Sequence, residues 1–356
     1  MERSGQDRWY RCELIMYIAR PVIAIIDDYE GFVPALDAYG MLKEALSNAD
    51  IRVITRQPLD DVAIRQMRDV EYLVLIRERS PITAQLLDRL PALKALVQTG
   101  TAGQAATSHI DQDACAQRGI AILEGGASDG HSAAEITWTL ILNASRNVHH
   151  YMTSMKEGSW QQGNPTGQIG RCLRGQTLGI LGYGRIGQLL GGYAKAFGMD
   201  VLVWGRENTR LAAQKTGARL ADGRDALFEQ SDILALQMRM SAESRHSVTL
   251  RDLGLMKPTS LLVNTGRPGL IEPGALVAAL KAGRPGRVAV DVHDHEPVLH
   301  ATELTESPRC TATPHIGYVE RNSYEILFDA AFRKLIAFLN KAEAEQLTRI
   351  AGRQPE

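Results

Sequence analysis

Residues 175–206 read RGQTLGILGYGRIGQLLGGYAKAFGMDVLVWGR, an apolar run that passes through Gly182-Tyr183-Gly184-Arg185-Ile186-Gly187 straight into an amphipathic segment of helical length. Few folds accommodate that pattern. Glycines at this spacing let a strand end turn sharply at Gly182, let the backbone approach a ligand at Gly184, and let a helix lie close on the strand at Gly187. Residues 177–181 read as a buried strand, and Ile186, Leu189, Leu190, Tyr193, Ala194 and Phe197 recur at helical spacing up to Gly198. Residues 201–204 supply a second strand, which completes a βαβ unit. The N–H groups and positive dipole end of its helix face the turn, so the unit suits the pyrophosphate of a dinucleotide.

The end of the second strand normally carries an acid that accepts from the adenosine ribose 2′-hydroxyl, about 20 residues past the glycines. Here Gly205 stands there, followed by Arg206. A carboxylate repels a 2′-phosphate, whereas a small residue beside a guanidinium leaves room for one and bonds to it. The site therefore takes NAD or NADP, with NADP favoured. Arg206 has other uses open to it, stacking on adenine or facing solvent.

A chain of 356 residues exceeds a single core, so two domains are expected. Its formal net charge of −1, without basic blocks, argues against nucleic acid as a partner. No run approaches the ~20 apolar residues that span a bilayer, and residues 1–20 interleave charge with apolar positions unlike a signal peptide. Cys12, Cys115, Cys172 and Cys310 are far apart and show neither metal-ligand nor disulfide spacing, as in a reducing cytoplasm.

From Pro21 short apolar runs at 22–26, 51–54, 72–76, 95–97 and 120–123 alternate with helix-length stretches. After the glycine motif the alternation resumes with runs at 233–236, 260–263, 288–290 and 311–313, and residues 323–340 form a closing helix. The expected fold is α/β with two doubly wound parallel-sheet domains, a Rossmann cofactor domain inserted into a flavodoxin-like substrate domain. The substrate domain is expected over 21–126 plus 316–350, the cofactor domain over 127–315, and 1–20 as an N-terminal extension.

Arg267, Glu296 and His315 each follow the carboxyl end of an expected strand, the edge at which open α/β sheets bind ligands. Taken singly, each suits a bland role: a surface ion pair, a solvated loop acid, a packed histidine. Around them stand LRGQTLGILGYGRIG, MKPTSLLVNTGRPGLI, VAVDVHDHEP and TATPHIGY, in that order. Over roughly residues 21–345 the chain resembles the D-isomer-specific 2-hydroxyacid dehydrogenases, which include phosphoglycerate, glyoxylate/hydroxypyruvate and D-lactate enzymes.

The resemblance implies that His315 is the acid/base, Glu296 its carboxylate partner and Arg267 the clamp on a substrate carboxylate. Chemistry agrees: imidazole titrates nearest neutral pH, and guanidinium offers a fixed fork of donors. Tyr183, Arg185, Ile186, Thr265, Gly266 and Asp291 are implied cofactor contacts, Asp291 at the nicotinamide carboxamide. The turn Thr99-Gly100-Thr101-Ala102-Gly103 is implied to offer N–H groups to the carboxylate, with Arg77 and Arg79 near the substrate mouth. Either arginine alternatively pairs with a nearby acid. His293 replaces the family's usual aromatic residue, and Gln237 and Arg239 replace its usual His and Pro; Arg239 is a second candidate for a 2′-phosphate. His293, Asp294 and His295 lack a third ligand, so no metal is expected.

The activity implied is hydride transfer between NAD(P)(H) and a small D-2-hydroxy acid or its 2-keto acid, of phosphoglycerate, glyoxylate or hydroxypyruvate type. The segment from Ala133 to Arg146 resembles the family's dimerisation helix, so a homodimer is expected. The two domains are expected to close on the substrate. A corepressor-like, nucleotide-sensing dimer is the rival reading; keeping Arg267, Glu296 and His315 together speaks for the enzyme. A formate dehydrogenase is disfavoured, because that branch has Gln where Glu296 stands. The chain ends soon after the closing helix, which leaves no regulatory domain and implies insensitivity to serine.

Overall fold

Two all-parallel sheets account for every apolar run read above. The computed structural model describes residues 20–56, 59–101, 109–162, 167 and 169–351. The extension up to residue 19, with Cys12, and positions 102–103 of the Gly-rich turn lie outside the described residues. Contacts group the described residues up to Ser128 together with those from Arg321 onward in one unit, and Asp129–Glu320 in another.

In the first unit β1 (Val22–Ile26), β2 (Asp50–Val53), β3 (Tyr72–Leu75), β4 (Ala95–Thr101) and β5 (Ala121–Gly126) pair in the order β2-β1-β3-β4-β5. This is the flavodoxin-like doubly wound order. β3 is buried along its whole length and β1 along most of it, as strands covered on both faces must be. The closing helix, Arg321–Ala351, packs on β4 and β5 and buries Tyr324, Leu327, Phe328, Ala331, Phe332 and Leu335. That apolar row explains why the chain's last segment returns to the first sheet.

Asp27, directly after β1, is 1% exposed, and burial pushes its carboxyl up to about 6 against the pull of Ser80 and Arg79. Ser80 donates to Asp27 Oδ1 at 2.9 Å. A folded-state value above the unfolded 3.8 means the protonated acid favours folding below that value, and the contribution is lost as pH rises to about 6. The difference corresponds to about 3 kcal/mol. Asp27→Asn keeps an acceptor for Ser80 and suits the left-handed backbone at this residue, φ +65°. The variant is expected to be more stable than wild type above pH 6, with the gap closing towards pH 4, in urea melts at several pH values.

In the second unit β6 (Thr177–Leu181), β7 (Asp200–Trp204), β8 (Arg219–Leu220), β9 (Ile233–Leu236), β10 (Leu261–Asn264), β11 (Arg287–Val290) and β12 (Cys310–Ala312) pair in the order β12-β11-β10-β9-β6-β7-β8. The chain leaves β6 towards β7 and returns on its other side at β9. That reversal opens a ligand crevice at the carboxyl ends of these strands. β8 was not expected; it is two exposed edge residues with no apolar run to announce it.

Helix His131–Arg146 buries Ala134, Trp138, Leu140, Ile141 and Ala144, and its Trp138 meets Tyr193 and Phe197 edge-on at 5.9 and 5.1 Å. Its apolar face is thus used within the unit. The expected join at 315/316 falls inside a loop that stays with the second sheet, where Ser132 Oγ donates to Gly317 O at 2.9 Å. Among the described residues no helix is long and apolar enough to cross a membrane.

Candidate active site

β6 ends in the glycine turn, and helix Arg185–Ala196 begins at Gly184 without a side-chain cap. Gly182 has φ +103°, and a Cβ there would meet the Gln237 carbonyl carbon at 2.5 Å, because Gln237 N–H bonds Leu181 O beside it. A Cβ on Gly187 would meet Gly182 O at 2.6 Å, whereas one on Gly184 would point into open space. Gly182 and Gly187 thus serve the backbone's own packing, and Gly184 leaves a cradle above the helix end that fits a pyrophosphate. The Tyr183 side chain, 3% exposed, turns inward with its hydroxyl 2.9 Å from Thr216 Oγ1. Only its backbone can serve the turn, where Arg185 and Ile186 open the helix.

At the end of β7 a Cβ on Gly205 would meet Thr209 Oγ1 at 2.5 Å. Arg206 is the N-cap residue of helix Glu207–Thr216 and its side chain is exposed. Arg239, three residues past β9, is exposed as well. Since β6 lies between β7 and β9, the two cations follow the strands on either side of the one that carries the glycine turn. The charge of Arg206 also reaches Glu243, which is held below its ordinary value mainly by Ser241.

Three parallel strands deliver the remaining candidates to the same edge. Asn264 pairs with Val290 and Val290 with Ala312, so Arg267, Asp291 and Thr313 all lie just past matched positions. His315 Nδ1 lies 2.6 Å from Glu296 Oε2, with side chains 18% and 28% exposed. Burial alone would raise the Glu296 carboxyl, but the His315 hydrogen bond and charge, with the His293 N–H on Oε1 at 2.8 Å, hold it below its ordinary value. The pair suits proton exchange: an ionised carboxylate fixes Nδ1–H and leaves Nε2 to a substrate.

His315 sits at φ +53°, a backbone conformation uncommon outside glycine. Asp291, 1% exposed, holds the loop in place by accepting from Thr313 Oγ1 at 2.6 Å and from the N–H groups of Ile316 and Gly317 at 2.8 Å each. Burial raises the Asp291 carboxyl despite these donors. The His293 ring bonds Thr313 O at 2.9 Å, a carbonyl that also accepts the His315 N–H. These loop contacts were not foreseen, because a backbone carbonyl as partner leaves no trace in residue type. Arg267 Nη1 donates to Gly266 O at 2.8 Å. Thr265 Oγ1 joins Thr137 at 2.7 Å and Gln237 Nε2 at 3.0 Å, so Gln237 has a place beneath the site that the sequence did not show.

Residues 138–317 match the family described as D-isomer specific 2-hydroxyacid dehydrogenase, NAD binding domain. The glyoxylate reductase of Thermococcus litoralis is 30% identical over 80% of this chain and 85% of its own length. Among solved structures, a phosphoglycerate oxidoreductase from Vibrio cholerae is 42% identical, with TM-score 0.82 over 90% of this chain and 99% of that one. The chain belongs to the D-isomer-specific 2-hydroxyacid dehydrogenase family. It is an oxidoreductase that takes NAD(P) and acts on the CH–OH group of a small 2-hydroxy acid or on the corresponding keto acid.

In the first unit of this dehydrogenase the candidate substrate residues are already engaged. Gly100 N–H donates to Gln98 Oε1 at 3.0 Å, and Arg77 N–H to Thr99 Oγ1 at 3.0 Å. Arg77 Nε lies 3.4 Å from Glu78, its side chain 13% exposed. Arg79 donates to Asp27 O at 2.6 Å and to Tyr324 Oη at 2.9 Å while its guanidinium lies 4.6 Å from the Tyr29 ring centre. Of the two arginines, Arg77 has an acid as partner, Glu78, whereas Arg79 joins the end of β1 to the closing helix through a backbone carbonyl and a tyrosine hydroxyl. Thr101 ends β4.

Proposed function

We propose that this dehydrogenase reduces a small unphosphorylated 2-keto acid of the glyoxylate or hydroxypyruvate type and prefers NADPH to NADH. The 2.6 Å contact of His315 with Glu296, at the carboxyl edge of the sheet that carries the glycine turn, supports this reading most directly. When bound, the reduced nicotinamide supplies the hydride to the keto carbon. His315 Nε2 gives a proton to the keto oxygen and, in the reverse direction, takes it from the hydroxyl. Glu296 stabilises the imidazolium form and keeps the ring aimed. Arg267 binds the substrate carboxylate through its fork of donors and polarises the keto oxygen.

The backbone of Gly182, Tyr183, Gly184, Arg185, Ile186 and Gly187 would hold the cofactor's pyrophosphate. Thr265, Gly266 and Asp291 would serve the nicotinamide end, and Gly205, Arg206 and Arg239 the adenosine end. NADPH is preferred because no carboxylate stands at the end of β7 to repel a 2′-phosphate. The engagement of Arg79 with Asp27 and Tyr324 removes one of the two cations a substrate phosphate would need, which favours unphosphorylated substrates.

The test follows nicotinamide absorbance with NADPH and NADH in parallel against glyoxylate, hydroxypyruvate, pyruvate and 3-phosphohydroxypyruvate. Faster turnover with NADPH, and with the unphosphorylated acids, is expected. A preference for 3-phosphohydroxypyruvate would sink the substrate reading, and a preference for NADH the cofactor reading.

The enzyme works as a homodimer in the cytoplasm on this reading. Helix Val148–Lys156 leaves Val148, Met152 and Met155 41%, 54% and 59% exposed on one face, and Trp160 and Ile169 nearby are exposed at 75% and 88%. Apolar area of this kind is stable in water when a second copy covers it. A monomer mass in sedimentation velocity would contradict the dimer.

A further inference from the structure

The missing acid at the end of β7 has a physical counterpart one helical turn later. Gly205 does not have a left-handed backbone, so conformation alone does not demand glycine there. Space does. A Cβ at this position would lie 2.5 Å from Thr209 Oγ1, 3.0 Å from its Cβ and 3.2 Å from its Cγ2. Thr209 is β-branched and sits in the first turn of helix Glu207–Thr216, its N–H bonded to Arg206 O at 2.9 Å, so it has few rotamers by which to move aside.

We propose that Thr209 is a specificity-determining residue for the cofactor, acting through Gly205. Its side chain occupies the volume into which any residue larger than glycine at 205 would grow, so the carboxylate that reads a ribose 2′-hydroxyl has no place at the end of β7. Arg206 is then the charged group nearest that strand end in sequence. The inference rests on the reading that Gly205 and Arg206 face the adenosine ribose. Thr209 itself makes no claim on the nucleotide; it excludes the residue that would select NADH.

The test has an arm without cofactor and an arm with it. In thermal melts of the apoenzyme, Gly205→Ala is expected to lower Tm, and the same change in a Thr209→Ala background to lower it clearly less, since the 2.5 Å contact is gone. Equal losses in both backgrounds overturn the steric claim. In calorimetric titrations with NADPH and with NADH, Thr209→Ala alone is expected to leave both affinities nearly unchanged. Gly205→Asp alone is expected to weaken NADPH at least tenfold without a gain for NADH, and the double variant to bind NADH about tenfold more tightly than that single variant.

A full gain of NADH affinity in Gly205→Asp alone overturns the proposal, as does a tenfold loss of NADPH in Thr209→Ala, which would make Thr209 a direct contact. The wild-type affinity ratio tests the underlying reading separately: if wild type binds NADH more tightly than NADPH, the NADPH preference fails, whatever the melts show about Thr209.

Discussion

Replacing His315 by alanine is expected to lower kcat about a thousandfold in both directions of the reaction, while cofactor affinity stays nearly as in wild type. The expectation rests on three contacts. Glu296 Oε2 takes Nδ1 at 2.6 Å, which fixes the ring and leaves Nε2 as the exchanging atom. Thr313 and Asp291 fix the left-handed backbone beneath it. None of these atoms belongs to the glycine turn, so truncating the imidazole removes the proposed proton donor without touching the glycine turn. Glu296→Gln keeps a polar partner for Nδ1 but loses the charge that favours imidazolium, and a smaller loss of kcat is expected. Because Glu296 is held below the ordinary carboxylate value, it stays an ionised partner for Nδ1–H until pH falls through that lowered value. Wild-type turnover by His315→Ala, measured with saturating cofactor and keto acid, would remove His315 from the chemistry.

The parts of this site that could be read from sequence are those in which residue type and local spacing carry the physics. Glycines at 182, 184 and 187 between an apolar strand and a helix mean one thing almost wherever they occur. The parallel, doubly wound sheets also followed, because buried parallel strands are unbroken apolar runs and right-handed crossovers leave few topologies. β8 escaped because two exposed residues on a sheet edge have no pattern to show. Arg79 could be placed near a substrate or near an acid, and only the fold brings it to Asp27, 52 residues away, and to Tyr324, 245 residues away. Tyr183 stood inside the motif, yet its side chain belongs to the core, since Thr216 becomes its partner only once helix Glu207–Thr216 is packed. The absent acid at 205 was visible; the threonine four residues on that crowds this position was not.

The three glycines of the turn are expected to separate into distinct phenotypes. Gly182→Ala places a Cβ 2.5 Å from the Gln237 carbonyl carbon and 2.6 Å from Met238 N, backbone atoms of β9's extension that have no rotamer by which to retreat. It also puts a side chain at φ +103°, where L-residues are strained. Overpacking and strain together come to about 3 kcal/mol, a fall of roughly 5–10 °C in Tm for a unit of this size. Gly184→Ala meets nothing within 4 Å, and its φ of −83° is ordinary, so the apoenzyme is expected to melt as wild type does. Its methyl group instead fills the space through which a pyrophosphate reaches the helix N-terminus, and NADPH affinity is expected to fall about tenfold or more. Melts and fluorescence titrations of the two variants therefore make opposite demands: stability is lost at 182 before binding is considered, and binding at 184 with stability intact. A Gly184→Ala enzyme that binds NADPH as wild type does would mean that the pyrophosphate does not lie on this turn. The cofactor placement argued from the helix end would then have to be abandoned, even though the family assignment would stand.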